Sequence, residues 1–202
     1  FLLEDLIDGP EYAVDAYFDQ DGEPVIVNIY KHLFASEKDV SDRAYFSSPE
    51  VMDEMLTPVT QFLRQVSARS GARRFPIHIE LRHSPQHGII PIEANALRFA
   101  GWCMTDVTHH AWGINPYTVY FYQQKPNWER LMNERAGRQY NMYIADLPHD
   151  IDFRKIASVD YEAIRQHFAR LLELRPTDYH NYPVLAFIFT ESKAGDFREN
   201  RK

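Results

Sequence analysis

The chain has 202 residues, of which 45% are hydrophobic, 14% aromatic and 25% charged, and its 22 basic and 29 acidic residues give a formal net charge of −7. This excludes disordered, collagen-like and coiled-coil classes, and the length suits one domain with a real core or one domain plus an appended subdomain. The acidic balance argues against a broad nucleic-acid-binding surface, the lone Cys103 suits a reducing compartment, and the longest apolar run, Val184 to Phe189, is far short of the roughly 20 residues that span a bilayer. The expectation is a cytoplasmic protein without nucleic-acid or membrane partners.

The chain opens Phe1-Leu2-Leu3-Glu4, without an initiator Met and as if inside a strand, so it reads as a piece of a longer protein. Leu2 to Ile7 is apolar with two acids and stops at the turn signal Asp8-Gly9-Pro10. Glu11 to Asp19 alternates as a strand, and Asp21-Gly22 turns it into a further strand, Pro24 to Tyr30. Residues 32 to 47 lose periodicity and read as a long loop of the kind that serves as a lid. A helix follows. Ser47 and Glu50 form a capping box, Pro49 lies in the first turn, Met55, Val59, Phe62, Leu63 and Val66 form the apolar stripe, and Gly71 ends it.

Phe75 to Arg82 and Ile89 to Asn95 form a second hairpin around Ser84-Pro85-Gln86-His87-Gly88. After Gly101 come short helices, one started by Asn115-Pro116 and one over Asn127 to Arg135. Gln139 to Leu147 reads as a strand. Val159 to Arg175 reads as an amphipathic helix capped by Ser158, with Ile164, Phe168, Leu171 and Leu172 inward. Tyr182 to Thr190 is a last strand before a polar tail. The fold class expected is α+β, a mostly antiparallel sheet with flanking helices, and a boundary near residue 138 separates a larger lobe (1–138) from a small α/β appendage (139–202).

The second hairpin holds the most informative pattern. Alternation puts Ile77, Ile79, Leu81, Ile90, Ile92 and Ala94 on one face, and His78, Glu80, Arg82, Pro91, Glu93 and Asn95 on the other. A turn centred between Gln86 and His87 sets Glu80 opposite Glu93 and His78 opposite Asn95. Two opposed carboxylates repel by roughly 0.2–1 kcal/mol on an exposed sheet, and more when desolvated. Either Arg82 or Arg98 neutralises an ordinary solvated face, or the oxygen ligands hold a hard cation such as Mg²⁺. A hydrolase built on Glu80 and Glu93 ranks last, because directly opposed side chains sit closer than the roughly 5–9.5 Å carboxyl separations of glycosidases. His83, His87, His109 and His110 lack zinc-ligand spacing, and Cys103 beside Trp102 reads as packing.

Glu4 to Tyr12, the step from Glu80 to Glu93, and Glu93-Ala94-Asn95 together resemble the C-terminal lobe of the ATP-grasp superfamily over about residues 2 to 121. The resemblance is closest to the carboxylate–amine ligases and carbamoyl-phosphate-synthase-like proteins. It implies that Glu4, Asp5 and Leu6 form the hinge against adenine and that Glu11 holds the ribose hydroxyls. It also implies that Glu80, Glu93 and Asn95 bind Mg²⁺, or Mn²⁺ in its place, bridging the ATP phosphates. Lys31 and Arg43 are the cations it would place near the phosphates. Arg98 would stabilise an acyl-phosphate oxyanion or hold the substrate carboxylate, although the family's usual Glu-x-Asn-Pro-Arg is here Glu93-Ala94-Asn95-Ala96-Leu97-Arg98. The implied activity is ATP-dependent joining of a small-molecule carboxylate to an amine, with N-terminal domains of the same chain completing the site and a homodimer compatible with the pattern. The alternative is a nucleotide-binding regulatory or scaffold module without turnover.

Overall fold

The computed structural model describes residues 7–34, 43–147 and 151–196. Its centre is one eight-stranded antiparallel sheet. The strands are β1 (Glu11–Phe18), β2 (Pro24–His32), β3 (Ala44–Ser47), β4 (Phe75–Ser84), β5 (Gly88–Ala96), β6 (Arg138–Asp146), β7 (Leu171–Pro176) and β8 (Val184–Lys193). Their order across the sheet is β5-β4-β1-β2-β3-β6-β8-β7. The helices are α1 (Pro49–Ser70), α2 (Met104–Trp112), α3 (Pro116–Phe121), α4 (Trp128–Glu134) and α5 (Tyr161–His167), with a 3-10 turn at Phe153–Lys155.

Strand alternation decides what each face buries. On β1, Tyr12, Val14, Ala16 and Phe18 join Ile79, Leu81, Met52, Met55, Val59 and Leu63 in the core against α1. The opposite face carries Glu11, Ala13, Asp15 and Tyr17 and is overlaid by α2 and α3. Helix α1 forms as its stripe predicts, and Gly71 closes it at φ 71° with its amide bonded to the Ser67 carbonyl. Its cap, however, is Ser48, whose hydroxyl accepts from the Val51 amide at 3.3 Å. Ser47 is already committed, donating to Asn28 Oδ1 at 2.7 Å.

Three further expectations change. The stretch read as loop from 32 to 47 holds the end of β2 and all of β3, whose four residues are too few to show a period and gain their order from β2 on one side and β6 on the other. The helix expected over 159–175 is only α5, capped by Asp160 on the Ala163 amide at 2.9 Å. The chain then extends as β7, because pairing with β8 satisfies the backbone while Leu171 and Leu172 pack into clusters on opposite sides of the sheet. The third change is a bulge. Glu80 faces Glu93 but Leu81 faces Pro91, so Ile92 is the inserted residue, 47% exposed, and Pro91 and Ile90 exchange the faces expected of them. The expected strand from Leu2 lies outside the described residues except for Ile7. No helix among the described residues is long and apolar enough to cross a membrane.

Candidate active site

The β4–β5 hairpin sits at one end of the sheet, with β5 as the edge strand. Its register pairs Glu80 with Glu93 and His78 with Asn95, as the alternation predicts. Neither arginine neutralises the two acids. Arg82 donates from Nε and Nη2 to Glu11 Oε2 at 3.2 and 3.1 Å and from Nη1 to the Ile7 carbonyl at 2.8 Å. Arg98 donates to the Phe99 carbonyl at 3.1 Å. What reaches Glu80 is His78, whose Nε2 lies 3.5 Å from Oε1. Among the described residues the Glu93 carboxylate makes no hydrogen bond or ion pair, and the buried Nδ2 of Asn95 has no partner. Two opposed carboxylates, one of them uncommitted, beside an amide with unmet bonding capacity fit a hard divalent cation. The set is sparse, for no group of three or more His, Cys, Asp or Glu among the described residues could hold a metal. Mg²⁺ is typically held by one or two carboxylates, with water and phosphate oxygens completing its shell.

Beneath these acids runs a buried polar network. Asp15 is fully buried. Its Oδ1 accepts from the Ala100 amide at 2.8 Å and lies 2.9 Å from His78 Nδ1, and its Oδ2 accepts from the Tyr30 hydroxyl at 2.9 Å. Tyr30 also meets Thr108 Oγ1 of α2 at 2.7 Å. Burial alone would lower the His78 pKa, but bonds to Asp15 and then Glu80 raise it to about 9. Burial, then the Asp15 charge, lifts the Tyr30 phenol well above its ordinary value. The network continues to Asn28, whose Nδ2 donates to Thr108 at 3.0 Å and whose Oδ1 accepts from Ser47 at 2.7 Å and Trp112 Nε1 at 2.9 Å.

Glu11 lies on the same face, one strand from the hairpin. His32 Nδ1 is 3.0 Å from its Oε1, and with Arg82 on Oε2 these partners hold its carboxyl below the ordinary value, the His32 bond contributing most and partial burial opposing it. Lys31 is not brought to this face. It pairs across the ladder with Tyr12, and its Nζ lies 3.7 Å from Glu54 of α1, on the other side of the sheet. Arg43 reaches Asp146 at 3.0 Å. Glu4, Asp5 and Leu6 lie outside the described residues. The loop after Asn95 presents Arg98 in a backbone where Leu97, Trp102 and Cys103 have φ values of 61°, 50° and 64°. Such strain in non-glycine residues costs on the order of 1–3 kcal/mol each and gathers at functional sites. The importance of Asp15 escapes a reading of the sequence, where the one available signal is an acid between Val14 and Ala16 in an otherwise apolar strand.

The fold is shared with several solved enzymes. The L-amino acid ligase from Bacillus licheniformis aligns with a TM-score of 0.68 at 20% identity, over 94% of this chain and 50% of that one. Phosphoribosylglycinamide synthetase from Anaerococcus prevotii aligns with a TM-score of 0.63 at 9% identity, over 95% and 50%. Biotin carboxylase from Campylobacter jejuni, in a complex with β,γ-ATP, aligns with a TM-score of 0.56 at 11% identity, over 94% and 43%. The chain thus spans half or less of the length of each of these three structures. No curated protein sequence matches it. The model of the ATP-grasp domain matches residues 1–106, which include β1, β2, the β4–β5 hairpin and, at its base, Asp15, Tyr30, His78 and Ala100, and the chain belongs to the ATP-grasp domain family.

Proposed function

We propose that the chain is the C-terminal part of an ATP-dependent ligase that joins a small-molecule carboxylate to an amine through an acyl phosphate. The observation that carries this reading is the Glu80–Glu93 pair, opposed in register and left unneutralised by both nearby arginines. In this reading Glu80, Glu93 and Asn95 hold Mg²⁺, or Mn²⁺ in its place. The bound cation would offset the negative charge of the ATP phosphates. Glu11, already held ionised by His32 and Arg82, keeps lone pairs to accept from the ribose hydroxyls. Glu4, Asp5 and Leu6, directly upstream of the Asp8-Gly9-Pro10 turn, line the adenine. Arg98, free of any carboxylate partner among the described residues, takes the acyl-phosphate oxyanion or the substrate carboxylate. The substrate carboxylate attacks the γ-phosphorus and ADP leaves; the amine nitrogen then attacks the acyl carbon and phosphate leaves. The residues contribute positioning and electrostatics. We place the working division at residue 138, with 139–202 as an appendage that extends the same sheet, and the protein in the cytoplasm.

In the full-length protein that contains this chain, Glu93→Gln should abolish metal-dependent ATP consumption while leaving the far-UV circular dichroism unchanged. The 202-residue chain alone should bind Mg-ATP weakly and not turn it over. Wild-type ATP use by the Glu93 variant would sink the metal assignment, and robust hydrolysis by the isolated chain would sink the idea that the site needs another domain.

A further inference from the structure

We propose that Asp15 and His78 are positioning residues that aim Glu80 at the bound cation; the inference rests on reading Glu80 as a metal ligand. The imidazole of His78 is 3% exposed and stands between two carboxylates, with Nδ1 2.9 Å from Asp15 Oδ1 and Nε2 3.5 Å from Glu80 Oε1. Its Asp15 side cannot swing. Asp15 is held by the Tyr30 hydroxyl from β2 and by the Ala100 amide from the loop after Asn95, and Tyr30 is held in turn by Thr108 of α2. A ring locked at one nitrogen presents the other in a fixed direction. Glu80 is 27% exposed in its side chain, next to the edge strand, and packing alone leaves its carboxylate free to choose among rotamers. His78 also lies directly opposite Asn95, so one buried ring backs two of the three proposed ligands. Through Ala100 the same carboxylate anchors the segment that carries Arg98, two residues upstream. This is the arrangement by which outer groups orient metal-binding carboxylates, and its removal typically costs about 10–100-fold in metal affinity.

A buried ion pair that only braces the hairpin would show the same contacts, so the test must separate aim from stability. Asparagine at position 78 sets an amide near the place of Nδ1, within reach of Asp15 but not of Glu80. Glutamine sets one near the place of Nε2, within reach of Glu80. Mn²⁺ binding in the presence of ATP is measured on the full-length protein that contains this chain, from the electron paramagnetic resonance signal of free Mn²⁺ against a protein-free Mn²⁺–ATP control, alongside urea unfolding of each variant. The expected result is that H78N, which withdraws the donor from Glu80, weakens Mn²⁺ binding about 10-fold or more, that D15N and H78Q, which loosen the Asp15 side but keep a donor at Glu80, weaken it by less, and that E93Q abolishes binding. If E93Q abolishes binding but H78N and H78Q behave alike, whether both weak or both normal, the positioning role is overturned and the metal site stands. If E93Q binds as wild type does, or the wild-type full-length protein takes up no Mn²⁺ beyond the ATP control, the metal reading falls and the positioning role with it.

Discussion

Replacing Asn28 by alanine tests whether the polar network between β2 and α2 holds the site-bearing face together. Asn28 is fully buried and its side chain makes four hydrogen bonds: Nδ2 to Thr108, and Oδ1 from Ser47, from Trp112 Nε1 and from the Ile29 amide at 2.9 Å. The partners are not equally stranded by the change. Thr108 keeps Tyr30, and Trp112 Nε1 keeps Ser47 Oγ at 3.2 Å. The three side-chain bonds therefore count at their net value of about 1 kcal/mol each, rather than at the larger cost of a buried orphan. The Ile29 amide loses its side-chain acceptor and the removed amide group leaves a small void, together adding about 1 kcal/mol. The expected loss is thus about 3–5 kcal/mol, a large part of the stability of a typical domain. Urea unfolding followed by tryptophan emission reads it directly, since Trp112 is 2% exposed and changes environment on unfolding. The midpoint should fall sharply with an unchanged slope. Ser47→Ala, which removes two bonds and no larger group, should cost about 1–2 kcal/mol. A loss below about 1 kcal/mol for Asn28→Ala would refute the view that these bonds are satisfied and mutually dependent.

Two other outcomes follow from the geometry. Gly9 has φ +92°, and an added Cβ would lie 2.2 Å from the backbone oxygen of His83, so Gly9→Ala should lower thermal stability by more than about 2 kcal/mol; a melting temperature within a degree of wild type would contradict the placement of this turn against β4. The Glu11 carboxyl is held below the ordinary value of 4.5 by the His32 bond first and then by the His32 and Arg82 charges. A depressed acid contributes stability that is present above its unfolded pKa and lost as pH falls through its folded one. The advantage of wild type over Glu11→Gln in urea unfolding should therefore be full near pH 6 and shrink progressively below about 4.5; an advantage that grows on acidification would reverse the assignment.

The β4–β5 hairpin could be read because its information is local. Period-2 alternation puts Glu80 and Glu93 on one face, but the turn centres on Gln86, with Ser84 facing Gly88, and Glu80 meets Glu93 because the bulge at Ile92 restores the register that a centre between Gln86 and His87 implies. The bulge at Ile92 could not, since an inserted residue leaves the composition of the strand unchanged and shows itself only in which neighbours are exposed. Residues 168–176 misled for a different reason. Ile164, Phe168, Leu171 and Leu172 satisfy a helical period, and the deciding term is a ladder to β8 supplied from elsewhere in the chain. Asp15 was invisible as a site residue because its partners His78 and Ala100 are 63 and 85 positions away. A lone acid in an apolar strand shows in the sequence, but the groups that meet it do not. Lys31 illustrates the converse, for one step of alternation carried it from the face of Glu11 to the face of α1.

Strand β3 has a consequence for how the chain reaches this fold. It is four residues long, yet it joins β2 to β6, and Phe46 meets Asn141 across 95 positions of sequence. For a flexible connection, closing a loop of that length costs roughly 4 kcal/mol of chain entropy, against roughly 1 for the three-residue loop of the β4–β5 hairpin. The strands on either side of β3 are tied to one another by shorter loops, so each half of the sheet can gather on its own, and the seam between them is the slow, non-local step. The four-pair ladder between β3 and β6 is therefore the contact that sets the topology.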